Sequence, residues 1–166
     1  FNGVLREAGV DYTEQLRRAA LRVTRPRLAV MQAVDAHPHA DTDSIVSAVR
    51  VGGLPDVSRQ AVYDVLGALT EAGLVRRIQP SGSLARYESR VGDNHHHLVC
   101  RSCGLIVDVD CTVGRAPCLS PSHDHGFAVD QAEVTFWGLC SECRTGAGQH
   151  PDFAGSGVPA SSSSGL

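Results

Sequence analysis

Six cysteines stand at positions 100, 103, 111, 118, 140 and 143, all in the second half of the chain, and four of them form two matched pairs, Cys100-x-x-Cys103 and Cys140-x-x-Cys143. A pair with two intervening residues can fold into a knuckle in which two thiolates and nearby backbone N–H groups converge on one ion. Two knuckles supply the tetrahedral sulfur set that zinc prefers, with no position left open for a reacting ligand, so the site reads as structural. Gly104 follows the first pair, where a knuckle needs a tight turn. The stretch between the pairs, residues 104–139, is longer than in compact zinc ribbons. The ion would therefore tie distant segments together, and its binding energy would become folding energy in a domain with a thin core. The competing reading is buried or redox-active cysteines, less expected for matched pairs in a cytosolic chain. Cys111 and Cys118 fall outside the pattern, as buried apolar side chains or as a redox pair.

A second set of donors lies just upstream. His95, His96 and His97 follow Asp93 and Asn94 and precede Cys100. In an extended strand His95 and His97 share one face and His96 points away. Glu88 ends a strand before them and Asp108 lies on a strand after the first knuckle. Histidines mixed with carboxylates suit Fe2+, Mn2+, Zn2+, Co2+ or Ni2+. On the residues alone, solvated surface histidines are the alternative.

Three helical patterns precede these groups. Thr24 is placed to cap a helix that has Pro26 in its first turn. Asp41 or Thr42 can cap a second, with Ile45, Val46, Ala48 and Val49 on one face, ending before Gly52-Gly53. A third begins at Ser58, sets Val62, Val65, Leu66 and Leu69 at helical spacing, and ends at Gly73. Leu74 to Ile78 and Leu84 to Glu88 then read as two strands around a Gln79-Pro80-Ser81-Gly82-Ser83 turn. Three helices and a hairpin is the order of a winged helix-turn-helix. Beyond it, His97 to Cys100, Leu105 to Val109 and Glu133 to Leu139 are strand candidates. The expected class is α+β, within the broader α/β group: a winged-helix DNA-binding domain over 1–90, a hinge over 91–94, and a small β-rich, zinc-stabilised dimerisation domain over 95–145. A Gly/Ser-rich tail over 146–166 is expected to be disordered.

A chain of 166 residues with 42% hydrophobic content can hold one ordinary domain or two small ones. No apolar run approaches a membrane span and no signal peptide is visible, so the chain reads as cytoplasmic. Net charge is −3, which does not announce a nucleic-acid partner, but the distribution is uneven. Residues 1–90 carry twelve arginines against ten acids, for +2; residues 91–166 carry three against eight, for −5; lysine is absent. A DNA binder of this composition must gather its arginines on one face. On the third helix Arg59, Gln60, Tyr63, Asp64 and Gly67 lie opposite the apolar stripe, a face able to enter a major groove. Arg59 could pair with a guanine edge and Tyr63 could pack on a thymine methyl; an ordinary solvated face is the alternative. Arg17, Arg18, Arg22 and Arg25, with Arg76 or Arg77 at the wing, are candidates for phosphate or minor-groove contact.

The chain resembles the ferric uptake regulator family over roughly residues 12–145. The stretches that carry the resemblance are Arg22-Val23-Thr24-Arg25-Pro26-Arg27, Val57-Ser58-Arg59-Gln60-Ala61-Val62-Tyr63, Arg86-Tyr87-Glu88 and His95-His96-His97-Leu98-Val99-Cys100-x-x-Cys103-Gly104. His37-Pro38-His39-Ala40-Asp41-Thr42-Asp43 is most similar to the subgroup associated with catalase-peroxidase genes. The resemblance implies a homodimeric repressor that binds inverted-repeat, double-stranded DNA. It also implies a regulatory ion, Fe2+ or Mn2+, held by His39, Glu88, His95, His97 and Asp108, with His37 competing for the place of His39. Peroxide response would then follow by oxidation of an iron ligand, His39 or His95, or of the zinc cysteines. A further family site is not expected, because Ala132 and Arg115 replace its ligands, and the prolines of residues 115–121 argue against the family's usual helix there. Two other readings use the same residues: a metalloenzyme with an open coordination position, and a nickel or zinc sensor on the same scaffold. No nucleophile motif, phosphate loop or cofactor fingerprint supports the enzyme. A pure zinc-stabilised adaptor would leave the His/Glu/Asp set unused.

Overall fold

The computed structural model describes residues 10–80, 82–93, 95–110, 121–129 and 132–146, and the chain divides into two compact units at the 94/95 junction. In the first unit, helices α1 (Tyr12–Arg18), α2 (Arg25–Ala36), α3 (Thr42–Val51) and α4 (Arg59–Glu71) are accompanied by strands β1 (Ala40–Asp41), β2 (Arg76–Ile78) and β3 (Arg86–Glu88). The second unit has β4 (His96–Cys100), β5 (Ile106–Val109), β6 (Thr135–Gly138) and a short helix α5 (Ser141–Thr145).

Each helix of the first unit starts at an oxygen-bearing cap. Asp11, Thr24, Asp41 and Ser58 accept from the backbone N–H of Glu14, Arg27, Ser44 and Ala61 at 3.0, 3.4, 2.8 and 3.1 Å. Such caps satisfy donors that the first turn leaves unpaired, each contributing about 1 kcal/mol. The apolar stripes then meet: Leu16, Val30, Val34, Ile45, Val49, Val62, Leu66 and Leu69 are essentially inaccessible and form one core with Val75 and Tyr87. This bears out the helical spacing read from the sequence, including the cap at Asp41.

Both hairpin strands are shorter than the expected 74–78 and 84–88, because only Arg76–Ile78 faces Arg86–Glu88 in the antiparallel register. Three elements escaped the periodicity. Helix α1 buries a single leucine, Leu16, so it shows no stripe. Strand β1 has two residues, Ala40↔Tyr87 and Asp41↔Arg86, and exists only by pairing with the outer side of β3. Helix α5 is five residues long and begins inside a cysteine pair.

Asp35 on α2 accepts from the Tyr12 hydroxyl and from Ser89 Oγ, both at 2.8 Å. This ties α1 and the residue after β3 to the same point on α2. Burial, together with that carboxylate, pushes the Tyr12 hydroxyl up to about 12.

In the second unit β4 is the central strand, antiparallel to β5 and parallel to β6, in the order β5-β4-β6. Cys111, Cys118, Arg115 and the tail beyond Gly146 lie outside the described residues. Among the described residues, no helix is long and apolar enough to cross a membrane.

Candidate metal centres and nucleic-acid interface

The parallel pairing of β4 with β6 explains how cysteines so far apart in sequence meet. Cys100 ends β4 opposite Gly138 at the end of β6, and Arg101 N–H closes the ladder on Gly138 O at 2.8 Å. Cys140 follows two residues later. The first knuckle closes through Cys100 N–H to Leu105 O at 2.9 Å and Gly104 N–H to Cys100 O at 3.0 Å. Gly104 adopts φ +73, a left-handed conformation that glycine takes without strain. The second knuckle is the first turn of α5, with Arg144 N–H on Cys140 O at 2.9 Å.

The sulfurs of Cys100, Cys103, Cys140 and Cys143 all lie within 4.8 Å of one another, and Cys103 Sγ is 3.8 Å from Cys140 Sγ. Four sulfurs at the corners of a tetrahedron about 2.3 Å from a zinc ion stand about 3.8 Å apart. Protonation chemistry agrees with the spacing. Backbone N–H groups of Cys103 and Cys140 stabilise the Cys100 thiolate and lower its pKa to about 6. At Cys103 a backbone N–H from Leu105 acts the same way, but burial and the neighbouring sulfurs outweigh it and push the thiol up to about 12. Four thiolates cannot ionise around one point without a cation between them. The donor set fits zinc.

The nitrogen and oxygen donors fall into two groups, one in each unit. In the first unit β1 pairs with β3, and this brings the loop before β1 against Glu88. His39 there has φ +62, its N–H donates to Tyr87 O at 2.9 Å, and its carbonyl accepts from Arg86 Nη1 at 3.2 Å. Its Nε2 lies 3.1 Å from Glu88 Oε2. His37 is exposed and closes the C-terminus of α2. The Glu88 carboxylate is only 1% exposed, and burying a charge is costly unless it is paired. Its other oxygen, Oε1, faces Arg76 Nε at 3.8 Å, because Arg76 is the residue directly opposite Glu88 in the hairpin.

In the second unit His97 and Asp108 are register partners across β4 and β5. His95 sits two residues before His97 with its ring edge against it, centroids 4.9 Å apart. Asp108 Oδ1 is 3.7 Å from His95 Nε2 and 3.5 Å from His97 Nε2. Nitrogen and oxygen ligands about 2.1 Å from a shared ion stand roughly 3.0–3.4 Å apart. The observed separations lie just beyond that range. His96 is turned to the other face, as strand alternation requires, and packs edge-on against Phe136 at 6.4 Å.

Arg59, Gln60, Tyr63, Asp64 and Gly67 are all exposed on α4, opposite Val62, Leu66 and Leu69. Arg59 lies over the Tyr63 ring, 5.6 Å from its centroid, and its Nε is 3.1 Å from Asp43 on α3. Gln60 Nε2 donates to Asp64 at 2.8 Å. Arg17, Arg18, Arg22 and Arg25 are exposed around α1 and the start of α2. Arg76, the other wing candidate, has 17% of its side chain exposed and faces Glu88. Arg77, its exposed neighbour, holds Gln79 Oε1 at 2.6 Å. Strand alternation separates the two, and sequence reading alone left them interchangeable.

Residues 18–137 match the family model described as "Ferric uptake regulator family". The "Transcriptional regulator FurA" of Mycobacterium tuberculosis is 74% identical over 133 residues, covering 80% of this chain and 90% of that protein. The "Peroxide operon regulator" of Bacillus subtilis is 30% identical over 131 residues, covering 78% of this chain and 89% of that one. Among solved structures, the Pseudomonas aeruginosa ferric uptake regulator with manganese is similar at a TM-score of 0.62 and 26% identity, covering 80% of this chain and 99% of that chain.

Proposed function

The chain belongs to the ferric uptake regulator family, and from that premise we propose that it is a homodimeric repressor whose operator binding is switched on by a divalent ion. Zinc at Cys100, Cys103, Cys140 and Cys143 holds the second unit together. A regulatory ion, Fe2+ or Mn2+, is shared by His39 and Glu88 of the first unit and His95, His97 and Asp108 of the second. The observation that carries this reading is the pairing of an all-sulfur set with two incomplete nitrogen/oxygen sets. His95, His97 and Asp108 form a two-histidine, one-carboxylate set able to hold an ion with open positions, His39 and Glu88 offer two further donors, and all five are of the harder type that Fe2+ and Mn2+ accept. It acts as a regulator rather than an enzyme, in the cytoplasm where its DNA lies.

When bound, the regulatory ion would supply coordinate bonds to donors from both units. His39 and Glu88 present one nitrogen and one oxygen from a loop and strand locked by β1–β3 pairing. His97 and Asp108 present theirs from the paired strands β4 and β5, and His95 from the residue before β4. An ion bound more tightly in the arrangement that fits DNA shifts the population toward it, and this difference in affinity makes the switch. Dimerisation is supported by the sheet face carrying Leu98, Val107 and Phe136. These three are register neighbours, 45%, 46% and 48% exposed, and a twofold partner can cover them. Two α4 helices then read an inverted repeat. Elemental analysis of protein prepared without oxygen, with operator binding measured as each divalent ion is added, tests the reading. One zinc per chain and no DNA binding until a second ion is supplied is the expected result; full binding by zinc-only protein contradicts it.

Arg59 and Tyr63 at the start of α4 are assigned the base edges. Arg59→Ala and Tyr63→Ala should each weaken operator binding by about 1–3 kcal/mol and random-sequence binding far less. Equal losses on both DNAs would move these residues to the phosphate backbone.

Peroxide response is the finer reading, supported by the similarity to the peroxide operon regulator. With Fe2+ bound, hydrogen peroxide is expected to add one oxygen to the imidazole of His39 or His95 and to release DNA. Zinc-bound cysteines are partly protected from the competing disulfide route. Mass spectrometry of peroxide-treated iron and manganese forms decides: oxygen on histidine in the iron form alone supports the claim, and disulfides with zinc loss in both forms overturn it.

A further inference from the structure

We propose that Arg76 is a positioning residue of the regulatory site, a fixed cation that orients Glu88 and holds its affinity for a divalent ion down to an exchangeable level. The inference rests on the assignment of Glu88 as a ligand. Arg76 and Glu88 face each other directly across the β2–β3 hairpin. Arg76 Nε is 3.8 Å from Glu88 Oε1, while His39 Nε2 is 3.1 Å from Glu88 Oε2. In these two contacts one carboxylate oxygen faces a cation and the other a ligand imidazole. Burial makes the arrangement consequential: 1% of the Glu88 side chain and 17% of the Arg76 side chain are exposed, so water screens their field weakly.

Two effects follow. The guanidinium faces Oε1 and leaves Oε2 as the oxygen nearer the His39 imidazole. It also places a permanent positive charge beside any ion that Oε2 binds. At an effective dielectric constant between about 20 and 80, a unit charge a few ångströms from a divalent ion weakens binding by roughly tenfold or more. One chain thereby holds one ion permanently and exchanges the other with the cell's labile pool, as a sensor requires.

The test is Mn2+ binding to zinc-loaded, full-length protein, followed by electron paramagnetic resonance of the free ion. Four proteins are compared: the parent, Arg76→Gln, Arg76→Lys and Glu88→Gln. Arg76→Gln keeps a hydrogen-bond donor and removes the charge, and it should bind Mn2+ about tenfold more tightly. Arg76→Lys keeps the charge and should stay within about threefold of the parent. A merely structural arginine would give the opposite sign, since loosening a ligand weakens binding. Arg76→Gln binding Mn2+ no more tightly than the parent, while Glu88→Gln has lost it, overturns this inference alone. Glu88→Gln binding Mn2+ like the parent removes the site assignment itself. Unchanged zinc content and thermal unfolding in Arg76→Gln exclude a folding defect; should it fail to fold, Arg76→Met is the second neutral variant and must show the same tightening.

Discussion

Cys140→Ser is expected to lose its zinc, its dimer and the fold of the second unit together. The described strands of that unit bury little: Val99, Cys100 and Ile106 are its apolar side chains at 8% exposure or less, against thirteen in the core of the first unit. With so few apolar groups removed from water, hydrophobic burial alone cannot offset the ordering of three strands. A four-thiolate zinc site contributes roughly 10–16 kcal/mol of apparent binding energy at neutral pH, and in such a domain that is folding energy. Cys140 is also the N-cap of α5, and its N–H donates to Cys100 Sγ at 3.3 Å. The substitution therefore removes a ligand from the junction of both knuckles. The first unit, with its own core, should still unfold cooperatively. Circular dichroism, gel filtration and elemental analysis read the three losses, and adding zinc back to chelator-stripped parent protein should restore all of them. A folded, dimeric, zinc-free Cys140→Ser protein would sink the structural role.

Glu88→Ala and His97→Ala should have the second large effect, at the other end of the function. Both should retain one zinc and near-parental helix content while metal-activated operator binding falls by two orders of magnitude or more. Glu88→Ala leaves His39 as the remaining donor of the first unit among the five, and His97→Ala leaves His95 and Asp108 in the second, so each variant removes one coordinate bond and weakens one unit's hold on the ion. Glu88→Ala also leaves Arg76 facing a buried space without its carboxylate, so a loss of about 1–3 kcal/mol of stability is expected in the first unit. His97 lies opposite Asp108 in the sheet that the proposed zinc site would hold together, and a smaller stability loss is expected for His97→Ala. Fluorescence anisotropy of labelled inverted-repeat DNA, with and without Mn2+, measures the effect. Parental Mn2+ activation in both variants would show that the cluster does not regulate.

Much of this arrangement was legible before any coordinates. Caps at Thr24, Asp41 and Ser58 and the apolar spacing after them are local properties, so the helices they begin were readable. The cysteine pairs announced a tetrahedral site because spacing and residue type alone define it. The register of β4 with β6 was not readable, since parallel pairing between segments so distant has no local signal; yet that register is what delivers Cys140 to Cys100. The same reason hid β1. Two residues, Ala40 and Asp41, show no periodicity, but their pairing with β3 distinguishes His39 from His37. Which of Arg76 and Arg77 faces Glu88 was unreadable for a related cause: neighbouring arginines on a strand point to opposite faces, and the choice depends on a register that turn composition leaves open. Helix α1 carries its one available sign in Asp11, a cap ahead of a stretch with a single buried leucine.

The central claim is that one ion, shared by His39, Glu88, His95, His97 and Asp108, favours the arrangement that binds operator DNA. Thermodynamic linkage makes this reciprocal: whatever factor the ion adds to DNA affinity, DNA must add to ion affinity. The decisive measurement is Mn2+ affinity of zinc-loaded protein with and without saturating inverted-repeat DNA, set beside DNA affinity with and without saturating Mn2+. The account predicts the same factor in both directions, tenfold or greater. Mn2+ bound equally well in the presence and absence of operator would contradict it.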